Sequence, residues 1–350
     1  MFCNEPNSEA DRWRPGAGNL LRALALALFL GTGLARGQSC QAGEELENAT
    51  KTSFEAAALP YFGLAAKGDV AGLRSFAIPS VADSFSGIAQ AVQENQAALA
   101  EATATVRSEF LLTVAGDAPP DRVEFLCGVF GKSGQTASSA VFTFNNLPPG
   151  RYGVVILDAT GKATTTDTEA LAVAFILQEA GATWKLGGFY LKPTLAAGHD
   201  SKWFTERARA FAAKGQNHNA WYYLLEARNL ASVMPFMSTR ETDRLFDESQ
   251  KAASTDAPDG IPIDLSSAGK GYKPKSIFAY GIAGEVNLVV KYELPDVSDG
   301  AKTYAENLAV AHALVSKWPE LREGFGAIIA RATEPSGKDF GTLVDIKSLK

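Results

Sequence analysis

Apolar residues recur at helical spacing from Glu44 to about Ala66, where Phe54, Ala57, Ala58, Tyr61, Phe62 and Ala65 share one side. Pro60 is expected to kink or divide that helix. Lys67-Gly68-Asp69 reads as a stop followed by a new cap, and a longer helix is predicted from about Ser80 to Ala100, with Val81, Phe85, Ile88 and Val92 as its stripe. The period then falls from that of a helix to that of a strand. Strands are predicted over about 104–114, 122–130, 139–145, 151–159, 169–179 and 184–192, joined mostly by Gly, Pro, Asn or Asp turns. Their closeness in sequence favours antiparallel pairing.

Pro193 to Asp200 reads as a hinge, a proline and small residues leading to a helix cap. A helical hairpin follows, with Trp203, Phe204, Ala208 and Phe211 on its first helix, a break at Gly215, and Trp221, Leu224, Leu225 and Arg228 on its second. A capping box at Ser238-Thr239-Arg240-Glu241 announces a third helix, and the Ser, Asp, Pro, Gly and Lys-rich stretch 252–276 reads as a loop. Strands near 276–281 and 285–293, a helix carrying Tyr304, Leu308, Ala311 and Val315, another opened by Pro319, and a strand near 340–346 make a small ββααβ unit. The order predicts an α+β fold. N-terminal helices pack on a curved antiparallel sheet, cone-like, over 38–192, and the hinge at 193–200 leads to a second α+β domain over 201–350.

The front of the chain changes the picture. Arg12, Arg14 and Arg22 precede an apolar run from Ala23 to Leu30 and small residues from Gly31 to Gly37, the pattern of an export signal over 1–37. Gly37, Gln38 and Ser39 before Cys40 do not make a lipidation site, so a periplasmic or extracellular location without a lipid anchor is expected. Without that segment the chain loses four of its 33 basic and three of its 39 acidic residues, leaving 29 against 36, a net charge of −7. No basic stripe remains for nucleic acid, and no later segment approaches the ~20 apolar residues of a membrane span. Cys40 and Cys127 are then the two remaining cysteines, consistent with one disulfide in an exported protein; the alternative is a buried Cys127 thiol with Cys40 apart from it.

The stretch PYFGLAAKGDVAGLRSFAIPSV, a helix broken at Lys-Gly-Asp, and the closing strands ALAVAFILQEAGATWKLGGFYLKP resemble the nuclear-transport-factor-2-like (ketosteroid-isomerase-like) superfamily over about residues 50–192. Within it, FTFNNLPPGRYGVVILDATG is similar to the Leu-Pro-Pro-Gly-x-Tyr turn of transthyretin-like β-modules, but the helices that precede the strands favour the first resemblance. The first resemblance implies a cone that holds a small ligand in some members and serves non-catalytic binding in others. ARAFAAKGQNHNAWYYLLEARNLA resembles a single tetratricopeptide-like hairpin near 203–231, with no second copy to extend it.

Candidate chemistry is sparse. His199, His218 and His312 stand apart from any Gly-x-Ser-x-Gly elbow, and Ser267-Ala268-Gly269-Lys270 matches Ser-x-x-Lys without the partner motifs of serine acyl-enzymes. Neither cysteine has a neighbour at zinc-ligand spacing, and Asp296 to Gly300 lacks the later glutamate of a calcium loop, so Ser298 or Asp299 is better read as a helix cap. No metal or cofactor is expected. A pocket inside the cone would draw on Glu124, Tyr152 or Asp158, since Glu169 and Glu179 fall at strand ends. An interaction face for a protein or peptide would draw on Trp203, Trp221, Tyr222 and Tyr223, which otherwise pack as core. The sequence therefore points to an exported binding or assembly module, with a small-molecule enzyme or carrier using the cone interior as the alternative.

Overall fold

The structure, a computed structural model, describes residues 38–129, 139–161, 170–253, 263–267, 269–282 and 284–349. The export signal therefore lies outside the described residues, as do Glu169 and Ala268. The chain enters as an edge strand, β1 (Ser39–Ala42), followed by α1 (Asn48–Ala66). Pro60 does not divide α1: it sits on the exposed side, while Phe54, Ala58, Tyr61, Phe62 and Ala65 are buried on the other and hold the helix down. Gly68 at φ +68° ends the turn, and Asp69 accepts from the Gly72 N–H at 2.8 Å to start α2 (Val70–Ser75). The single long helix expected over 80–100 is instead three pieces, α3 (Pro79–Asp83), α4 (Ser86–Glu94) and α5 (Gln96–Ala100). The chain leaves the helical path at Ser84 and at Asn95, whose side chain bonds back to the Ala91 carbonyl, yet Phe85, Val92 and Leu99 remain buried.

The expected strands all form: β2 (Thr103–Val114), β3 (Arg122–Cys127), β4 (Ala140–Asn145), β5 (Gly150–Thr160), β6 (Ala170–Ala180) and β7 (Thr183–Pro193). β7 runs on into a minimal hairpin, β8 (Leu195–Ala196) and β9 (His199–Asp200). The strands do not make one meander. A five-stranded sheet has the order β1-β2-β5-β6-β7, while β3 and β4 join β10 (Met237–Thr239) in a separate three-stranded sheet. The five-stranded sheet is packed on both faces. Leu111, Val155, Leu157, Val173, Phe175 and Leu177 meet helices α1–α5, and Gly153 is needed on that side because a Cβ there would come within 2.5 Å of the Phe54 ring. Phe110, Leu112, Val154, Ile156 and Ala174 meet Val123, Phe125 and Phe142 of the second sheet. Cys40 of β1 and Cys127 of β3 are disulfide-bonded with their Cα atoms 5.1 Å apart, joining the two sheets covalently.

Asp200 caps α6 (Ser201–Ala213) by accepting from the Trp203 N–H at 2.9 Å, and α7 (Asn217–Ala231) completes the helical hairpin. The next helix, α8 (Arg240–Ala252), is capped one residue later than expected. Thr239 is the N-cap, and Thr239 and Thr242 exchange backbone-to-hydroxyl bonds at 2.8 and 3.2 Å. Part of the expected loop forms a small hairpin, β11 (Leu265–Ser267) and β12 (Lys270–Tyr272). Then come β13 (Pro274–Ile282), β14 (Glu285–Glu293), α9 (Gly300–Lys317), capped by Asp299, and α10 (Leu321–Gly324). Two strands close the chain, not one: β15 (Ala327–Thr333) lies parallel to β14 across the α9 crossover, and β16 (Asp339–Asp345) pairs with β15, giving the order β13-β14-β15-β16. The Ala-Ile-Ile-Ala run of β15 fits either period, which is why its alternation carries little signal. Its inner side buries Ile328, Ala330 and Ala332 in a core shared with α6, α7 and α9.

Candidate functional site

A bulge in β2 builds the first wall of a cleft beside the five-stranded sheet. The register with β5 runs through Val106↔Leu157 and resumes at Ser108↔Ile156, so Arg107 is the extra residue. Bulges turn a side chain out of the alternation, and Arg107 here lines a cleft of about 760 Å³ with Ser108 and Phe110. The opposite walls come from the first turns of α6, through Lys202, Thr205 and Glu206, and from the start of α8, through Thr239, Arg240, Glu241 and Arg244; Arg209, further along α6, also lines it. Two helix N-termini thus face the same space, each adding a partial positive charge.

The cations of this cleft are unequally neutralised. Arg107 ion-pairs with Asp158. Arg209 makes two bonds to Glu248, at 2.7 and 3.1 Å, and that contact holds the Glu248 carboxyl below the usual carboxylate range. Arg244 reaches the same carboxylate only at 3.8 Å, and Lys202 meets Glu206 at 4.0 Å. Arg240 has no ion-pair partner among the described residues. Arg240 and Arg244, four apart on α8, share a helix face, so the cleft presents one unneutralised and one half-neutralised guanidinium side by side. Such a pair can hold a carboxylate or phosphate through directed N–H donors.

The residues expected to form a pocket are not brought together. Asp158 borders the cleft through Arg107. Glu124 is exposed on β3 and ion-pairs with Arg122 at 2.6 Å. Tyr152 is buried between the sheets, its hydroxyl donating to the Pro148 carbonyl at 2.8 Å and so bracing the Leu-Pro-Pro-Gly turn. Of the expected interaction face, Trp221, Tyr222 and Tyr223 are 5%, 1% and 3% exposed and belong to the core of the C-terminal half. Trp203 alone is half-exposed, stacked on His199 with ring centroids 3.7 Å apart and flanked by Arg207.

His218 binds Glu320 at 2.9 Å and stacks on Trp318, while Lys270 is held by Glu306 across from Ser267, so Ser-x-x-Lys does not present a free amine. Among the described residues no three His, Cys, Asp or Glu side chains gather as metal ligands, and no helix is long and apolar enough to cross a membrane.

One titratable group escaped sequence reasoning altogether. Glu109 lies on the helix-facing side of β2, and its carboxyl is pushed up to about 7 by burial and by the nearby Glu55, with Lys51 opposing. Its Oε1 is buried without a hydrogen-bond partner. The only signal in the sequence is that Glu109 precedes Phe110 and Leu111 in a strand whose two faces are both buried, a feature that appears only once the second sheet is seen. Arg240 falls inside the expected capping box, and Arg244, one turn further along the same helix, carries no signal of its own in the sequence. No family model, curated protein or solved structure matches this chain.

Proposed function

We propose that this is an exported binding protein that captures a small organic anion, without transforming it, in the arginine-lined cleft between β2, α6 and α8. The observation that carries this reading is the Arg240–Arg244 pair on one face of α8, opposite the bulged Arg107. The cleft volume of about 760 Å³ falls within the roughly 300–1,000 Å³ typical of small-ligand sites. Export is supported by the basic, apolar and small-residue succession at the front of the sequence and by the oxidised cysteine pair. The helices covering one face of the five-stranded sheet are in keeping with the nuclear-transport-factor-2-like resemblance, some of whose members act as binding domains.

Thermal-shift measurements against succinate, citrate, glucose phosphate and matched neutral and cationic compounds test the proposal. The anions are expected to raise the melting temperature with concentration, and Arg240→Gln with Arg244→Gln to abolish the rise. No stabilisation by any of these anions would overturn it.

A second reading, acid–base chemistry on the helix-facing side of the sheet, is favoured only by Glu109, whose proton is retained to about pH 7. Phe54 packs directly against Gly153 on that side, so a substrate there requires the ring to move.

A further inference from the structure

We propose that the cleft between the end of β7, helix α7 and the end of β13 is a second binding site, and that it takes a small aliphatic zwitterion with the chemistry of a free leucine-like α-amino acid. It has a volume of about 350 Å³ and shares no lining residue with the arginine-lined cleft, so it stands apart from that reading.

Two opposite charges face this space. Glu226 projects from α7 and is 9% exposed; Lys192 projects from β7 and is half-buried. No ion pair joins either to any described residue, and the one bond to Glu226 is a long one from Asn229, at 3.3 Å. Burial raises the Glu226 carboxyl and lowers the Lys192 ammonium, each opposed by the other's charge across the gap. Both groups have lost water without gaining an ion-pair partner among the described residues, an arrangement that a ligand carrying the two complementary charges relieves.

The walls between them are apolar: Leu171, Pro193, Leu195, Leu230 and Ile282. The rim carries Tyr280, 49% exposed. The wall formed by β8 and β9 is pre-set rather than loose. Its turn places Ala197 at φ +52° and Gly198 at φ +74°, and it seats on Gly281, where a Cβ would come within 2.2 Å of the Ala197 nitrogen. A ligand ammonium bonds Glu226, a ligand carboxylate bonds Lys192, and an aliphatic side chain covers the leucines. A ligand with only one charge leaves the other protein group buried and unneutralised, so discrimination against singly charged analogues is built in.

Calorimetric titration of the intact protein with L-leucine, isocaproate and isoamylamine tests this. L-leucine is expected to bind, and each analogue, lacking the amine or the carboxylate, to bind at least about tenfold more weakly. Glu226→Gln and Lys192→Met are each expected to weaken leucine binding, with circular dichroism confirming the fold. Absence of leucine binding, or equal binding of isocaproate or isoamylamine, would overturn the proposal, and that comparison decides the matter even where a variant fails to fold.

Discussion

Arg107, the extra residue at the bulge of β2, is ion-paired with Asp158 on the neighbouring strand β5, and this contact restrains one of the cations that face the arginine-lined cleft. Both side chains are substantially solvent-exposed, at 34% and 44%. An exposed pair contributes about 0–1 kcal/mol. Asp158→Asn is therefore expected to leave chemical-denaturation stability within about 0.5 kcal/mol of wild type while strengthening binding of citrate about threefold, through the released guanidinium. Weaker binding in this variant would show that Arg107 does not contribute to the site.

Glu109 gives the protein a signature on the alkaline side. A folded-state value raised from 4.5 to about 7 means that the folded protein holds this proton more tightly than the unfolded chain. The stability it confers is complete below about pH 4.5 and is lost as pH rises through about 7. After discounting for solvent screening the effect is about 1 kcal/mol. Glu109→Gln is expected to unfold at higher denaturant than wild type at pH 8, with the advantage gone at pH 4. An equal difference at both values would mean that the carboxyl is ordinarily solvated.

The Cys40–Cys127 bridge spans 87 residues and ties the edge strand to the second sheet. Constraint of a loop of that length in the unfolded chain is worth nominally about 4.6 kcal/mol. Reduction, or paired replacement by serine, is expected to lower stability by about 2–4 kcal/mol. Thiol titration of the denatured, unreduced protein lacking residues 1–37 should find no free cysteine; two free thiols would contradict the bridge.

Trp203 and Tyr223 lie in one aromatic cluster and should respond differently. Tyr223 is 3% exposed, donates to the Gly324 carbonyl and packs on Phe204, Phe211 and Phe325. Tyr223→Ala is expected to cost about 3–5 kcal/mol. Trp203 is half-exposed against His199, and its replacement by alanine is expected to cost about 1–2 kcal/mol. Denaturant midpoints separate the two, and a small loss for Tyr223→Ala would reopen the case for an interaction face there.

The local chemistry of the fold was legible where single residues decide it. Gly68 with Asp69, Asp200 and Asp299 mark helix boundaries through backbone conformation and capping, and both are written in the residues themselves. The partition of strands into two sheets was not, because β4 and β5 flank a Pro-Pro-Gly turn that a hairpin would also use, and β10 arrives from about ninety residues downstream. That same non-local pairing hid the site. Arg107 reads as one exposed position in an alternating strand until the bulge is seen, and Arg240 and Arg244 read as a solvated helix face until β10 docks on β4 and brings α8 to the sheet.

The most direct measurement of the central claim is calorimetric titration of citrate into the wild-type protein and into the Arg240→Gln, Arg244→Gln double variant, each at low and high salt. The account predicts saturable binding to the wild type that weakens with salt and is lost in a double variant of unchanged melting temperature. Equal affinity for the two proteins would contradict it, as would no binding to the wild type at low salt.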